Sequence, residues 1–229
     1  MLIGGLQKFS LIDYPGKICA IVFTQGCNLR CPYCHNPELV KPELFDTPLS
    51  ENKVFSFLEN RKGKLDAVEI TGGEPTLQPD LLEFVKKIKD MGFLVKLDSN
   101  GTNPHVLERI IKNKLVDYLA MDIKAPLEKY SRVVGVRVNI ANIRYSINLI
   151  MKSGINYEFR TTVVKSLLPR EDIIKIGKLI RGAENYFLQR FILSKTLDKN
   201  FSDKTTYSDK EFRDFKKILE KYVRKCEIR

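Results

Sequence analysis

The chain has 229 residues, of which 43% are hydrophobic and 29% are charged, a balance typical of a folded globular protein rather than a disordered chain. No apolar run approaches the ~20 residues that a helix needs to span a bilayer, which argues against an integral membrane protein. The first residues, MLIGGLQKFSLIDYPGK, lack a charged head followed by a long apolar stretch. We therefore expect no secretory signal and a cytoplasmic location.

The 39 Lys and Arg residues outnumber the 28 Asp and Glu residues, which gives a net charge of +11. Such an excess can attract nucleic acids, membrane surfaces or acidic proteins. The basic residues are spread along the chain, however, without a long basic block or the basic and aromatic repeats of RNA-binding modules. We expect a lysine-rich solvated surface and neither a nucleic-acid nor a membrane partner.

Short apolar runs, rich in Val, Ile, Phe and Tyr, predict six β-strands. In chain order the predicted strands are Ile18–Thr24, Ala67–Thr71, Leu94–Asp98, Tyr118–Ile123, Tyr157–Val164 and Tyr186–Leu193.

Amphipathic segments lie between these runs and predict helices. Candidate helix starts are Ser50, Pro79, Asn103–Pro104, Asn139 and Ser208, and candidate helix stops are Gly154 and Gly182. Ser208 followed by Glu211 has the spacing of a capping box, which strengthens the prediction of the last helix.

The alternation of strand and helix is repeated six times without a linker of changed composition, so we expect a single domain over residues 1–229. Repeated βα units predict an α/β fold with a parallel sheet. Six units are too few for a closed eight-stranded barrel but suffice for an open partial barrel or a doubly wound sheet. In either architecture the active site lies at the carboxyl ends of the strands.

Three of the five cysteines, Cys27, Cys31 and Cys34, follow the first predicted strand with the spacing C-x3-C-x2-C. A structural zinc site with His35 as fourth ligand is one interpretation, but such sites usually combine two separated ligand pairs. Adjacent residues such as Cys34 and His35 rarely bind the same ion. An iron–sulfur cluster with three thiolate ligands fits the spacing better and leaves one iron open.

The remaining two cysteines are remote from this loop. Cys19 lies in the apolar run ICAIVF and is interpreted as a small buried hydrophobic residue, whereas Cys226 lies in VRKCEIR and is interpreted as incidental.

The segment CNLRCPYC, with Tyr33 as its aromatic residue, resembles the cluster-binding motif of the radical S-adenosylmethionine (SAM) enzymes. The longer segment FSLIDYPGKICAIVFTQGCNLRCPYCHNPEL resembles the branch of that superfamily that activates glycyl-radical enzymes, such as anaerobic ribonucleotide reductase and pyruvate formate-lyase. The resemblance implies a partial (βα)6 parallel barrel, one 4Fe–4S cluster on Cys27, Cys31 and Cys34, and SAM as second cofactor.

Several segments at the ends of later strands resemble SAM-binding elements of this family. The GGE segment Gly72, Gly73 and Glu74 resembles the motif that binds the methionine amino group, although GGE alone is more often a turn. Asp98 and Asn100, in the sequence DSNG with Ser99 and Gly101, resemble another element of the pocket. A capped turn would explain the same residues.

The fourth to sixth strands supply the remaining candidates. Asp122 and Lys124 lie two residues apart and so share one face of a strand. The resemblance implies that they contact the amino and carboxylate groups of SAM, whereas an ordinary ion pair is the simpler interpretation. Arg160 resembles an arginine of the activating enzymes. The sixth strand lacks the histidine that contacts the SAM ribose in such enzymes, and Gln189 is the candidate in its place.

The resemblance implies that the enzyme cleaves SAM reductively and that the resulting 5′-deoxyadenosyl radical generates a glycyl radical on a partner enzyme, anaerobic ribonucleotide reductase being the expected partner. No cysteine lies between Cys34 and the second strand, so we expect a single cluster. The expected electron donor is a flavodoxin or ferredoxin, whose acidic surface would complement the positive charge.

Two other functions remain open from the sequence. A radical SAM enzyme acting on a small molecule, such as a pterin or a nucleoside precursor, would share all the SAM-site residues and differ in its substrate pocket. A zinc-containing nucleic-acid-binding module would use the cysteines without catalysis.

Overall fold

The computed structural model describes residues 1–201 and 203–229. Its eight β-strands are β1 Ile3–Ser10, β2 Cys19–Thr24, β3 Ala67–Gly72, β4 Leu94–Ser99, β5 Tyr118–Asp122, β6 Asn156–Val163, β7 Asn185–Arg190 and β8 Lys225–Ile228.

The α-helices are α1 Pro37–Val40, α2 Glu51–Glu59, α3 Leu81–Asp90, α4 Pro104–Lys112, α5 Tyr130–Val133, α6 Ile140–Met151, α7 Arg170–Leu179 and α8 Asp209–Leu219. Short 3₁₀ helices cover Pro42–Leu44, Pro75–Leu77, Leu127–Lys129 and Lys199–Phe201. None of the helices in the described ranges is long and apolar enough to cross a bilayer.

The strands are hydrogen-bonded in chain order, and parallel pairs predominate. β1 is antiparallel to β2, whereas β2 with β3, β3 with β4, β6 with β7 and β7 with β8 are parallel. The predicted α/β class with a parallel sheet is therefore confirmed.

The chain divides into two compact units. The first unit comprises Met1–Asn28, Asn36–Ser99 and Asn103–Leu119, and the second comprises Leu29–His35, Asn100–Thr102 and Ala120–Arg229.

The first unit buries the central parallel strands on both faces. The side chains of β2 from Cys19 to Val22 are at most 3% exposed, as expected for a strand covered on both sides. Helix α3 packs an apolar stripe of Leu81, Phe84, Val85 and Ile88 into the core, which the 3.6-residue helical period produces. Cys19 is fully buried, as the sequence predicts.

The second unit has its own core beneath β6, β7 and β8. Phe159, Tyr186 and Leu188 on neighbouring strands are fully buried. Helix α8 buries Phe212, Phe215 and Leu219 at the spacing of one helical face.

Six of the strands correspond to the predicted ones, but β1 and β8 were not predicted. β1 has the sequence IGGLQKFS, in which two glycines and polar residues conceal the strand pattern. β8 has only four residues, and its Cys226 is buried within the strand. β7 ends at Arg190 instead of Leu193, because its pairing with β6 ends at Val163 and Arg190.

The predicted caps are largely confirmed. Ser50 accepts a hydrogen bond from the Lys53 amide, Asn139 accepts one from Ala141, and Ser208 forms the complete capping box with Glu211. Gly154 and Gly182 have φ angles of 72° and 88°, the left-handed conformation that ends a helix. The helix predicted to open at Pro79 begins two residues later, at Leu81.

A charged cluster is buried in the first unit between β3 and β4. Lys96 Nζ donates to Glu69 Oε1 at 2.5 Å and to Asp98 Oδ1 at 2.8 Å, and the Lys96 side chain is 1% exposed. Burial, together with the Asp98 carboxylate, raises the pKa of Glu69 from its ordinary 4.5 to about 9. At neutral pH, this raised pKa favours the protonated form of Glu69, while the Lys96 charge acts in the opposite direction.

We predict that this carboxyl group makes stability depend on pH. Because the folded-state pKa of Glu69 is raised, the folded protein keeps a proton that the unfolded chain releases, so stability falls from about pH 4.5 to about pH 9. Glu69→Gln removes this pH dependence, in which the free energy of unfolding falls by at most about 1.4 kcal/mol per pH unit. The difference in thermal midpoint, variant minus wild type, should rise between pH 6 and pH 9.

Glu128→Gln is the control for this experiment, because Glu128 is exposed and its lowered pKa leaves it ionised in both states throughout that range. A pH-independent difference for Glu69→Gln would contradict the assignment of a buried proton.

We also predict that the capping box stabilises α8. Ser208→Ala removes the acceptor for the Glu211 amide and should lower the free energy of unfolding by about 1 kcal/mol, measured by chemical denaturation. Ser56→Ala, at an exposed position inside α2, is the matched control and should not destabilise, because alanine is the better helix former. Equal losses in both variants would argue against the cap.

Candidate functional site

The predicted site residues are distributed over both units. The first unit contains Cys27, Gly72, Gly73, Glu74 and Asp98, whereas the second contains Cys31, Tyr33, Cys34, Asn100, Asp122, Lys124, Arg160 and Gln189. Most of them lie at or just beyond the carboxyl ends of β2, β3, β4, β5 and β7, where the predicted site belongs.

In the first unit, the GGE segment is attached to the residues that lead into the cysteine loop. The Gly73 amide donates to Thr24 O at 2.8 Å, and the Glu74 amide donates to Gly26 O at 2.8 Å. A Cβ atom at Gly73 would lie 2.1 Å from Gly26 O, which the backbone could not accommodate. Glycine is therefore required at position 73 by close backbone approach, a reason that the sequence motif alone does not reveal.

The Glu74 carboxylate is buried and organises its surroundings. Its Oε1 accepts hydrogen bonds from the Thr76 amide at 3.1 Å, the Thr76 hydroxyl at 2.5 Å and the Ser99 hydroxyl at 2.9 Å. The side chain thereby connects the end of β3 to the end of β4.

Asp98 is likewise held by its own unit. Lys96 binds one carboxylate oxygen, and the Thr71 hydroxyl donates to the other at 3.1 Å. Lys96 was not among the predicted site residues. The available signal was its position two residues from Asp98 in an otherwise apolar strand, which places both side chains on one face.

In the second unit, the cysteine loop forms a tight turn and is held from two directions. The Cys34 amide donates to Cys31 O at 3.0 Å, which closes the turn. The Arg30 amide donates to Val134 O, and the Leu197 amide donates to Cys34 O, each at 2.9 Å. Burial raises the pKa of the Cys31 thiol to about 11, and the charge of Lys124 opposes that rise.

Tyr33 packs its ring into the interior of the second unit, where it is 5% exposed. Burial raises its pKa well above the ordinary value. Cys31 and Asp122 raise the pKa further, whereas the positive charge of Lys124 lowers it. The aromatic residue of the cysteine motif therefore shares one environment with the predicted Asp122 and Lys124 pair.

Asp122 lies between two cations of the second unit. Its Oδ2 accepts from Lys124 Nζ at 2.9 Å, and its Oδ1 accepts from Arg160 Nε at 2.9 Å. Burial disfavours the charged form of Lys124, but Asp122 and its other neighbours hold its pKa well above the ordinary value. The structure thus brings Arg160, which was selected separately, together with the predicted pair of Asp122 and Lys124.

Tyr130 supports this cluster and was missed by the sequence analysis. Its hydroxyl donates to Asp122 O at 3.4 Å and accepts from the Lys124 amide at 3.3 Å, so it holds the backbone on both sides of Ile123. Tyr130 is fully buried, and nothing in its sequence context distinguishes it from a core residue.

Asn100 and Gln189 complete the predicted set. Asn100 Oδ1 accepts from the Thr102 amide at 3.0 Å and from its hydroxyl at 2.6 Å, so Asn100 forms the capped turn that the sequence had left as an alternative. Gln189 lies near the end of β7, opposite Thr162 of β6 in the strand register.

Within residues 1–201 and 203–229, no three His, Cys, Asp or Glu side chains are grouped as a metal site. The assignment of the three cysteines to a cluster therefore rests on their spacing. In the second unit, one tight turn carries Cys31 and Cys34, so these two potential thiolate ligands lie close together in the chain.

Comparison with known proteins identifies the family. A model of the radical SAM superfamily matches residues 21–181. A protein of Methanocaldococcus jannaschii named as a glycyl-radical enzyme activating enzyme is 37% identical, over all of this chain and 95% of its own length. The pyruvate formate-lyase-activating enzyme of Clostridium pasteurianum is 29% identical, over 97% of this chain and 96% of its own.

Solved structures agree on the fold. Streptococcus suis SuiB with bound S-adenosylmethionine matches 89% of this chain and 48% of SuiB, with a TM-score of 0.68 and 14% identity. The chain therefore belongs to the radical SAM superfamily, whose enzymes use a 4Fe–4S cluster and S-adenosylmethionine, and within it to the glycyl-radical enzyme activating enzymes.

Proposed function

We propose that the enzyme generates the glycyl radical of an anaerobic ribonucleotide reductase. The observation that carries the activating role is similarity to an activating enzyme along the whole chain, rather than over the cofactor-binding part alone.

Cys27, Cys31 and Cys34 are the proposed ligands of the cluster. When bound, the cluster and SAM supply a one-electron reductive cleavage whose 5′-deoxyadenosyl radical takes a hydrogen atom from a glycine of the partner. The chain's own contribution is to hold SAM and exclude water. Tyr33, buried beside Cys31, excludes water from that side of the loop.

Asp122 and Lys124 are the proposed contacts for the amino and carboxylate groups of SAM. They form an ion pair at 2.9 Å, so the pair is ordered before SAM binds, which limits the entropic cost of binding. The GGE segment, Gly72 to Glu74, is proposed to bind the methionine amino group of SAM through its backbone. Further proposed SAM-site residues are Asp98, Asn100, Arg160 and Gln189.

The proposed electron donor is a flavodoxin or ferredoxin. The net charge of +11 supports this proposal, since a positive protein attracts an acidic carrier and speeds their encounter at low ionic strength.

We predict that anaerobically reconstituted protein is brown and holds about four irons per chain. Replacing Cys27, Cys31 or Cys34 by alanine should abolish the cluster absorbance, because each substitution removes one of three thiolate ligands. Iron analysis and visible absorption spectra measure this directly.

Cys19→Ala and Cys226→Ala are the matched controls, because both thiols are buried in strands. Loss of iron from either control would contradict the three-thiolate assignment. A colourless protein that binds zinc instead would support the alternative of a structural zinc module.

We predict a glycine-centred doublet in the electron paramagnetic resonance spectrum when reduced enzyme, SAM and the organism's anaerobic ribonucleotide reductase are mixed without oxygen. The doublet should disappear when the partner's radical-bearing glycine is replaced by alanine.

A different pair of results would contradict the proposed activase function. If no candidate partner gives the doublet while a small molecule stimulates release of 5′-deoxyadenosine, the activase function fails and the small-molecule function is favoured. Membership of the radical SAM superfamily is unaffected by that result.

A further inference from the structure

The residues that follow β7 pack against the cysteine loop, entirely within the second unit. Phe191 comes directly after the last residue of β7 and is 4% exposed. Its ring stacks on the ring of His35, with 5.3 Å between the ring centres and an angle of 23° between their planes. His35 is the residue next to Cys34, the third proposed cluster ligand.

Two backbone hydrogen bonds attach the same segment to the cysteine loop. The Leu197 amide donates to Cys34 O at 2.9 Å, and the Asp198 amide donates to Pro32 O at 3.0 Å. We name residues 191–198 the strap, because they contact the cysteine loop at both of their ends.

The stacked rings are the side-chain part of this attachment. The Nε2 atom of His35 is buried and has no hydrogen-bond partner within residues 1–201 and 203–229. The stack on Phe191, rather than a hydrogen bond from this atom, therefore orients the imidazole ring. Stacked aromatic rings stabilise a contact beyond the burial of their area, so the pair is a specific link between the strap and the loop.

The start of the cysteine loop is attached elsewhere. The Arg30 amide donates to Val134 O at 2.9 Å, and a Cβ atom at Gly135 would lie 2.5 Å from Arg30 O. This close backbone contact does not involve the strap. The strap acts on the other end of the loop, which carries Cys34.

We propose that Phe191 is a positioning residue for the cluster: by stacking on His35, it keeps the Cys34 end of the loop in place for binding iron. A ligand that is held in its binding position loses less conformational freedom when it binds. Without the stack, the Cys34 end moves more freely and gives up iron more readily to a competing ligand. This inference rests on the proposed assignment of Cys34 as a cluster ligand.

The test measures how fast bathophenanthroline disulfonate, an iron chelator, removes iron from cluster-loaded protein without oxygen or SAM. Phe191→Leu keeps an apolar side chain but removes the stack, and should raise the rate about 5-fold, as expected for the loss of one aromatic contact. His35→Leu removes the same stack from the other side and should raise the rate by a similar factor.

A double-mutant cycle tests whether the two side chains act through one contact. The double variant should release iron within about 2-fold of either single variant, whereas independent effects would multiply to about 25-fold over the wild type. Multiplication of the two effects would contradict the proposed link between Phe191 and His35.

Phe215→Leu is the matched control, because Phe215 is 3% exposed and its ring meets the Tyr207 ring edge-on at 4.8 Å in the same unit. It should lower the thermal midpoint of the metal-free protein about as much as Phe191→Leu does, but leave the rate of iron release unchanged. If the control also accelerates iron release 5-fold, general destabilisation explains the effect and the positioning role is overturned.

Failure of the ligand assignment gives a different result. If Cys34→Ala retains the cluster, the assignment of Cys34 falls and this inference falls with it. If Cys34→Ala loses the cluster while Phe191→Leu and His35→Leu release iron at the wild-type rate, the inference about Phe191 alone is overturned. His35 is only partly buried, so His35→Leu decides the question if Phe191→Leu does not fold.

Discussion

The pairing of the Asp122 carboxylate with two cations is the interaction on which the proposed chemistry of the second unit depends. Asp122 is only 26% exposed, and Lys124 and Arg160 are more buried still, so each charge would be costly without the others. Tyr130 fixes the backbone on both sides of the pair. The side chains proposed to bind the methionine moiety of SAM are thereby ordered by one another, at the end of a strand that is otherwise apolar.

In the first unit, the main structural constraint is the close approach of two backbone segments. Gly73 lies so near Gly26 that no side chain fits between them, and two amide hydrogen bonds join the GGE segment to Thr24 and Gly26. The same contacts fix the residues immediately before Cys27. The GGE motif is therefore explained in part by chain packing, in addition to the SAM contacts proposed for it.

The sequence predicted the six central strands and most helix caps, because these depend on local periodicity and residue type, whereas the family resemblance pointed to Asp122, Lys124 and Arg160. It missed β1 and β8, whose pairing is determined by neighbouring strands rather than by their own patterns. It also missed Lys96, Tyr130 and the Glu158–Arg229 pair. Tyr130 and the Glu158–Arg229 pair act through contacts that appear only after folding, since Glu158 and Arg229 are 71 positions apart, whereas Lys96 had a local signal in its spacing from Asp98.

The most direct test of the central claim is product analysis of the iron-loaded protein under anaerobic conditions, with dithionite as reductant and SAM as the only other addition. We predict that methionine and 5′-deoxyadenosine appear in equal amounts, and that Lys124→Ala weakens SAM binding while retaining the iron. Intact SAM after prolonged incubation with reduced, four-iron protein would contradict it.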